Sequence, residues 1–381
     1  MKIIDWYKQN WEKRLTGRYI SFEMILPLLN TYKDNFQISD IGISEEGRKI
    51  PVVKIGSGKK VILAWSQMHG NESTTTKALF DLFKFLNDPY IYHTEISGFL
   101  NEFSLVIVPM LNPDGAEVYT RENANKIDLN RDFKDLSQRE SRYLRSVFDS
   151  LKPILCLNMH DQRSIYGASL GKPATISFLA PAADSDRTLT EARKMAMKAI
   201  IKMVNVLEQL IPGQIGRYDD SFNSACVGDS FQMEGVPTIL FEAGHFQGDY
   251  EREKTREYVF YSLVALFGML ETENKEYGYK EYFQLPENTT SFRDVILRNA
   301  ILSAEESEVD VAIQYVESLK KGKIAFEPYI DDIGSLHHLY GHREIDLNLS
   351  KILTDSQETL TVGVKISKLF DENEKSIRLF E

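Results

Sequence analysis

Short apolar runs alternate with longer helix-like segments through the first 270 residues. The apolar runs are typical of strands buried between helix layers, and they are Ile50–Ile55, Lys60–Trp65, Ser104–Met110, Ile154–Met159 and Thr238–Phe241. The helix-like segments are Ser73–Asn87, Ser137–Leu151, Thr188–Leu210 and Tyr250–Leu270. This alternation predicts an α/β fold. Residues 1–45 are expected to form a helical lead-in.

The pattern changes near residue 272. Glu271–Asn288 is charged and rich in tyrosine, and helical periodicity is weak beyond it. Short strand-like pieces follow at Asp294–Leu297, Val309–Tyr315, Ile345–Leu349 and Leu360–Ile366. We therefore predict two domains, an α/β domain over residues 1–275 and a small β-rich domain over residues 285–381. The sequence does not indicate the role of the second domain.

Composition limits the possible partners. The chain has 381 residues and a net charge of −11, without a run rich in lysine or arginine. Neither nucleic acid nor a membrane surface is therefore an expected partner. The sequence shows no signal peptide and no apolar stretch of about 18–20 residues that could span a membrane, so the cytoplasm is the expected location. Cys156 and Cys226 are expected to be free core thiols, although one bridge is possible.

Two histidines and a glutamate are candidate metal ligands. His69 and Glu72 lie between an apolar strand and a helix, and His160 ends another apolar run. Strand ends in α/β sheets converge on a crevice, and a catalytic zinc takes three N/O ligands and one open position. Taken alone, His69 and Glu72 fit equally well as a surface histidine and a glutamate at a helix N-terminus. Asp161 or a backbone carbonyl is a candidate to orient the His160 ring.

Glu242 also follows an apolar run. Burial at the strand end would raise the pKa of this carboxylate and suit it to exchange protons with an activated water. A salt-bridged structural role is the alternative. Arg121 and Arg131 lie in loops between these motifs, where guanidinium groups can bind carboxylates or developing oxyanions. Each arginine alone could equally be a solvated surface charge.

Together these residues resemble the zinc carboxypeptidases of the M14 (funnelin) family. The motifs occur in that family's order and are His69-x-x-Glu72, Asn112-Pro113-Asp114-Gly115, Arg121, Asp128-Leu129-Asn130-Arg131-Asp132, His160 and Glu242. The resemblance covers roughly residues 40–270. It implies a mixed, mainly parallel eight-stranded sheet flanked by helices, and a peptide or amino-acid amide as substrate.

The resemblance also implies a role for each site residue. One zinc ion per chain would be bound by His69, Glu72 and His160. Glu242 would activate water and then protonate the leaving amine, and Arg121 would stabilise the oxyanion. The residues expected to bind substrate are Asn130 and Arg131 for the terminal carboxylate, Tyr218 as a mobile tyrosine, and Asp229 as a selector of a basic or diaminopimelate-like end group.

Two other functions remain open. Glu242-Ala243-Gly244 and the β-rich C-terminal region also resemble the succinylglutamate desuccinylase and aspartoacylase branch, which cleaves N-acyl amino acids with the same zinc chemistry. A degenerate, purely binding protein is the third reading, although the complete set of ligands and base argues against it. His337, His338 and His342 could form a second metal site but fit better as surface residues. His245 could face the pocket or pack against the strand end.

Overall fold

The helices and strands are described for residues 2–88, 90–270, 278–302, 307–354, 360–373 and 375–379 of a computed structural model. The α-helices are α1 Lys2–Asn10, α2 Phe22–Thr31, α3 Thr74–Leu86, α4 His93–Glu102, α5 Pro113–Val118, α6 Arg139–Leu151, α7 Glu191–Leu207, α8 Val227–Met233 and α9 Glu253–Leu266. Two short 3₁₀ helices span Leu129–Arg131 and Lys280–Gln284. The strands are β1 Gln37–Ile43, β2 Lys49–Ile55, β3 Lys60–Ser66, β4 Phe103–Val108, β5 Leu155–Asp161, β6 Gly167–Ser169, β7 Lys172–Pro173, β8 Ile176–Leu179, β9 Ile215–Arg217, β10 Thr238–Ala243, β11 Phe292–Ala300, β12 Val309–Lys320, β13 Lys323–Gly334, β14 Tyr340–Asp346, β15 Leu353–Thr354 and β16 Leu369–Phe370.

Eight strands form one mixed sheet, in the order β1-β2-β4-β3-β5-β10-β8-β9. The pairs β3–β4, β3–β5, β5–β10 and β8–β9 are parallel, whereas β1–β2, β2–β4 and β8–β10 are antiparallel. The predicted α/β class and the mainly parallel eight-stranded sheet are therefore confirmed. No described helix has the length and apolar character that crossing a membrane requires.

Helices cover both faces of this sheet, and β3 shows how the sequence achieves that. Ile62 and Ala64 point to the core formed with α3, α7 and α9. Leu63 and Trp65 point to the opposite core, which includes residues of α6 and α8. Because successive side chains in a strand alternate between faces, a continuous apolar run is needed to fill both cores. This explains the apolar runs that mark the central strands.

The sheet edges depart from the sequence prediction. Residues 1–45 are not helical throughout, because β1 follows α1 and α2 and pairs with β2. This edge strand is largely exposed and contains Asp40 and Gly42, so it lacks the apolar alternation that identifies a half-buried strand. The short strands β8 and β9 were also missed, since a run of three or four residues is too brief to show a period.

A four-stranded sheet follows the main domain, in the order β13-β12-β11-β14. The predicted β-rich character is confirmed, but the strand bounds differ. The predicted strand Leu360–Ile366 is wrong, because that segment has only an isolated bridge, between Lys365 and Tyr329. The strand β13 was missed, since its mixed exposure gives no clear apolar period. The domain boundaries proposed at residues 275 and 285 flank a stretch that lies partly outside the described residues.

A buried arginine joins the segment after α1 to the main domain. The guanidinium of Arg256 on α9 donates two 2.7 Å hydrogen bonds to Asp81 on α3, and neither side chain is exposed to solvent. The same guanidinium donates to the carbonyl oxygens of Leu15 and Glu12 at 2.6 and 2.9 Å. Arg256 therefore joins α3, α9 and the segment after α1.

We expect Arg256→Met to lower the free energy of unfolding by about 3–5 kcal/mol at neutral pH, because it leaves Asp81 buried without its charge partner. Urea unfolding measures this loss. Lys49→Met is the control, since Lys49 pairs with Asp40 on the exposed surface and its removal should leave the midpoint nearly unchanged. Equal effects of the two substitutions would contradict this account of the buried pair.

Candidate active site

The register between two parallel strands brings the third predicted ligand beside the predicted base. In the β5–β10 pair, His160 lies opposite Glu242, and Asn158 lies opposite Leu240. Directly paired residues project from the same face of a sheet. All four line one cavity of about 620 Å³ at the carboxyl ends of these strands.

His69 and Glu72 reach this cavity from the turn between β3 and α3. The turn begins at Gln67, whose φ of 46° lies in the left-handed region. Gly70 packs against the backbone of α5, and a Cβ at this position would lie 2.0 Å from the carbonyl carbon of Gly115. A larger residue at position 70 would therefore displace the loop that carries both candidate ligands.

The three candidate ligands converge on one point. Nδ1 of His69 and Nδ1 of His160 lie 3.1 Å apart, and each is 2.8 Å from an oxygen of Glu72. Tetrahedral ligands held about 2.0–2.1 Å from a zinc ion lie roughly 3.3 Å from one another. Two ring nitrogens and a carboxylate are the donors that zinc prefers, so this set fits a zinc ion. Within the described ranges, these three residues are the group found with such geometry.

The charges inside the cluster support one another. Burial raises the pKa of Glu72, but the imidazoles of His69 and His160 outweigh burial and hold the pKa well below its usual range. Burial lowers the pKa of His160, whereas at His69 the carboxylates of Glu72 and Asp128 outweigh burial and raise the pKa. A deprotonated carboxylate and a neutral imidazole are the forms in which these side chains bind a metal.

Asp128 orients the His69 ring. Its Oδ1 lies 2.9 Å from Nε2 of His69. A proton on Nε2 leaves the lone pair of Nδ1 directed at Glu72, which is the tautomer that a metal ligand needs. For the ring of His160 the sequence prediction gave Asp161 or a backbone carbonyl as the orienting group, but Nε2 of this ring has no hydrogen-bond partner among the described residues. The carboxylate of Asp161 accepts a 3.0 Å hydrogen bond from the backbone N–H of Thr74, the first residue of helix α3.

The three residues predicted from the arginine loops all line the cavity. Arg121 donates through Nε to Asp128 at 3.0 Å, and its terminal nitrogen lies 3.4 Å from Glu72. The side-chain oxygen of Asn130 accepts from the backbone N–H of Val227 at 3.2 Å, which joins the 3₁₀ helix to α8. The exposed Arg131 donates to the carbonyl oxygen of Asn130 at 3.0 Å.

Glu242 is buried beside other carboxylates. Burial raises the pKa of this side chain well above its usual range, and the charges of Glu72 and Asp161 raise it further. A carboxylate whose pKa is shifted toward neutrality can accept and return a proton at physiological pH. The position and electrostatics of Glu242 thus suit it to acid–base chemistry.

The remaining predicted site residues line the same cavity. Tyr218 follows β9, and its hydroxyl lies 3.2 Å from the hydroxyl of Tyr166. Asp229 lies in the first turn of α8 and accepts from the backbone N–H of Asn223 at 3.2 Å. Burial raises the pKa of Asp229 to about 6. The structure therefore gathers all nine predicted residues around one cavity, and they are His69, Glu72, Arg121, Asn130, Arg131, His160, Tyr218, Asp229 and Glu242.

Several cavity residues were missed by sequence reasoning. Asn158 could have been found, because it lies two residues before His160 and a strand alternates with a period of two. Arg163 and Tyr166 carry no such signal, since they lie in an irregular segment after β5. Cys156 is a free, buried thiol as expected, whereas the free thiol of Cys226 is only partly buried and lines the cavity.

The other histidines lie outside the cavity lining. His245 is buried and packs against Tyr250 and His342, with ring centroids 4.6 and 4.1 Å away. This agrees with packing against the strand end, one of the two roles considered for His245. His342 is buried, but the side chain of His337 is 82% exposed. The described part of the C-terminal sheet contains no second group with metal-ligand geometry.

A buried His-Glu-His set beside a buried glutamate is typical of metal-dependent hydrolases. Comparison with known proteins agrees with that class. The model of the zinc carboxypeptidase family, Peptidase_M14, matches residues 23–149. The family resemblance seen in the sequence is thus supported over residues 23–149.

Similar proteins include Carboxypeptidase 2 from Trichophyton equinum, which is 27% identical over 161 residues, or 40% of this chain and 28% of that protein. Carboxypeptidase D from Homo sapiens is 27% identical over 154 residues, or 34% of this chain and 11% of that protein. The matched region thus spans well under a third of either relative.

Solved structures share the fold. A metallo-carboxypeptidase from Burkholderia cenocepacia is 16% identical, with a TM-score of 0.53 over 66% of this chain and 69% of that one. A metallo-carboxypeptidase from Pseudomonas aeruginosa, in complex with (2-guanidinoethylmercapto)succinic acid, is 17% identical, with a TM-score of 0.53 over 66% of this chain and 69% of that one. The similarity of these structures supports the assigned fold.

The raised pKa of Asp229 predicts a pH-dependent cost in stability. An ordinary aspartate loses its proton near pH 3.8, whereas Asp229 in the folded protein holds its proton to about pH 6. The folded state thus binds more protons in this window, so the contribution of Asp229 to stability falls as pH rises from about 4 through 6. Relative to the wild type, Asp229→Asn should gain about 2–3 kcal/mol between pH 4 and 7.

Urea unfolding of both proteins across this pH range measures the difference. The Asn side chain retains an oxygen that can accept from Asn223, so the local turn should be preserved. A difference between the two proteins that stays constant from pH 4 to 7 would contradict the raised pKa.

Proposed function

We propose that this protein is a zinc metallocarboxypeptidase that hydrolyses the C-terminal amide bond of peptides. The observation that carries the proposal is the shared cavity. It contains a donor set suited to zinc, a buried glutamate in strand register with one of the donors, and three guanidinium groups.

Glu242 is the general base in this proposal. Zinc held by His69, Glu72 and His160 supplies Lewis acidity that makes water a better nucleophile at neutral pH. Glu242 takes a proton from the water as the oxygen of that water bonds to the scissile carbonyl carbon. It then returns a proton to the leaving nitrogen as the C–N bond breaks. The raised pKa of Glu242 suits both transfers.

The arginines divide the remaining tasks. Arg121 lies next to Glu72 and so next to the proposed metal, which suits it to stabilise the negative charge that develops on the carbonyl oxygen. Arg131 is exposed in the cavity and has no carboxylate within ion-pair distance among the described residues. Together with Asn130 it is suited to bind the terminal carboxylate of the substrate.

Asp229 and Tyr218 complete the proposed substrate site. The ligand named for the Pseudomonas aeruginosa structure combines a guanidinium group with carboxylates. Asp229 and Arg131 present complementary charges in one cavity: Asp229 lies in α8, and Asn130, next to Arg131, is bonded to the first residue of that helix. We therefore assign to Asp229 the selection of a basic end group. Tyr218 follows β9 and lines the same cavity, where its hydroxyl can contact a bound peptide.

We expect the purified protein to contain about one zinc ion per chain, as measured by plasma mass spectrometry after dialysis. His160→Ala should lower the zinc content well below one, because three protein ligands are needed to hold a catalytic zinc. The control is His337→Ala, whose side chain is largely exposed and should not affect binding. Wild-type protein that lacks stoichiometric zinc at neutral pH would instead favour a non-catalytic binding role.

We expect the zinc-loaded protein to release C-terminal amino acids from peptides. Glu242→Gln should retain zinc but lower kcat by about 10²–10⁴-fold, because it removes the general base. Arg131→Ala should lower kcat/KM by roughly 10–100-fold, as expected for loss of charge-assisted hydrogen bonds to the terminal carboxylate. Mass spectrometry of the products measures both effects. The matched control is Arg142→Ala, because the side chain of Arg142 on α6 is exposed.

Unchanged amino-acid release by Arg131→Ala would refute the assigned carboxylate site. Release of acetate or succinate from N-acyl amino acids, with peptides left intact, would establish the amidohydrolase alternative. That alternative rests on Glu242-Ala243-Gly244 and would retain the same zinc ligands and base.

A further inference from the structure

Arg163 is the third arginine that lines the cavity, and it forms no ion pair with a carboxylate among the described residues. Arg163 follows β5 in the segment 162–167, and its side chain is exposed and lines the cavity. Arg121 is paired with Glu72 and Asp128, whereas the ion pairs of the described residues do not include Arg163. In a chain of net charge −11, such a guanidinium in a cavity is available to bind an anion.

The segment that carries Arg163 is held in place by the C-terminal β-rich region. Nε2 of Gln314 on β12 donates to the hydroxyl of Ser164 at 2.8 Å. Nε2 of His342 on β14 lies 2.7 Å from the carbonyl oxygen of Ser164. The backbone N–H of Phe292 on β11 donates to the carbonyl oxygen of Ile165 at 3.0 Å. Three strands thus fix the residues immediately after Arg163.

Further bonds extend this support to the adjoining wall. Gly167 and Thr289 exchange two backbone hydrogen bonds at 2.8 and 2.9 Å. The side-chain amide of Asn288 donates to Gln162 at 2.8 Å. Because both ends of the short segment are anchored, the Cα of Arg163 has a defined position. The wall therefore presents its guanidinium from a fixed backbone, which lowers the entropic cost of binding a ligand.

This wall differs from the one assigned to the terminal carboxylate. Arg131 and Asn130 belong to the wall joined to α8 through Val227, whereas Arg163 belongs to the wall joined to the C-terminal sheet. The substrate ends at Arg131 in the proposed function. The part of the peptide that reaches the other wall is then the part that precedes the scissile bond.

We propose that Arg163 is a specificity-determining residue that binds a carboxylate on the acyl side of the scissile bond, so that the enzyme prefers peptides with an acidic residue there. This inference rests on the proposed function. The hydroxyls of Tyr166 and Tyr218 line the same cavity and can donate to the same carboxylate. The nearby Asp219 is turned toward Ser221, from which it accepts two hydrogen bonds at 3.1 and 2.9 Å.

The test uses N-acyl peptides with a free C-terminus that differ only by Glu or Gln at one of the two positions before the scissile bond. We expect the zinc-loaded enzyme to favour Glu by at least about tenfold in kcat/KM at one position, the equivalent of one bidentate charge-assisted contact. Arg163→Gln should bring this ratio close to one through KM, and Arg163→Glu should favour a third peptide that carries Lys at the same position. Arg142→Gln is the matched control and should retain the preference.

Binding measured without turnover separates this inference from the proposed function. In the Glu242→Gln background, calorimetry should show tighter binding of the Glu peptide, and Arg163→Gln should abolish the difference. Peptide hydrolysis with a Glu/Gln ratio near one, or a ratio unaffected by Arg163→Gln, overturns the role of Arg163. If no peptide is hydrolysed but the binding difference persists and depends on Arg163, the proposed function fails and the anion site stands. If neither hydrolysis nor a binding difference is found, both proposals are overturned.

Discussion

Two carboxylates, Glu72 and Glu242, are buried in one cavity. Burying both is electrostatically unfavourable, and the neighbouring groups determine the pKa of each. An isolated buried charge is expensive, and like charges raise each other's pKa. The imidazoles of His69 and His160 compensate Glu72 and keep it ionised, whereas burial and the charges of Glu72 and Asp161 outweigh the nearby arginines and raise the pKa of Glu242. The two carboxylates thereby acquire different properties, one suited to bind a cation and the other to move a proton. The parallel register of β5 and β10 places Glu242 opposite His160, whose ring in turn contacts Glu72.

The central part of the fold was predictable because a strand covered by helices on both faces needs apolar side chains at successive positions, and such a run is visible in the sequence. The apolar run at Thr238–Phe241 lies within β10, and Lys60–Trp65 corresponds closely to β3. The edges were not predictable in the same way. The exposed strand β1 lacks an apolar pattern, and β13 alternates poorly because much of it is only partly buried. Pairing to a neighbouring strand stabilises such segments, and that long-range contact is not visible in local sequence.

The candidate site was predictable where a candidate site residue directly follows an apolar strand. His160 and Glu242 each follow an apolar run, and the resemblance to a known family joined them to His69 and Glu72. Asp161 was considered as the orienting group of His160 but bonds Thr74 instead, since sequence adjacency does not give side-chain direction. Asp128 lies 59 residues from its partner His69, and only the folded loops reveal the contact. The support of the cavity wall by the C-terminal sheet was likewise invisible, because Gln314 is 150 residues from Ser164.

The central claim is that one zinc ion lies between His69, Glu72 and His160, with Glu242 facing it across the cavity. The most direct measurement is X-ray diffraction from crystals of the zinc-loaded protein, recorded on both sides of the zinc absorption edge. The account predicts a single strong anomalous peak within bonding distance, about 2.0–2.2 Å, of Nδ1 of both histidines and an oxygen of Glu72. A fully occupied zinc peak elsewhere in the chain, with none at these three side chains, would contradict it.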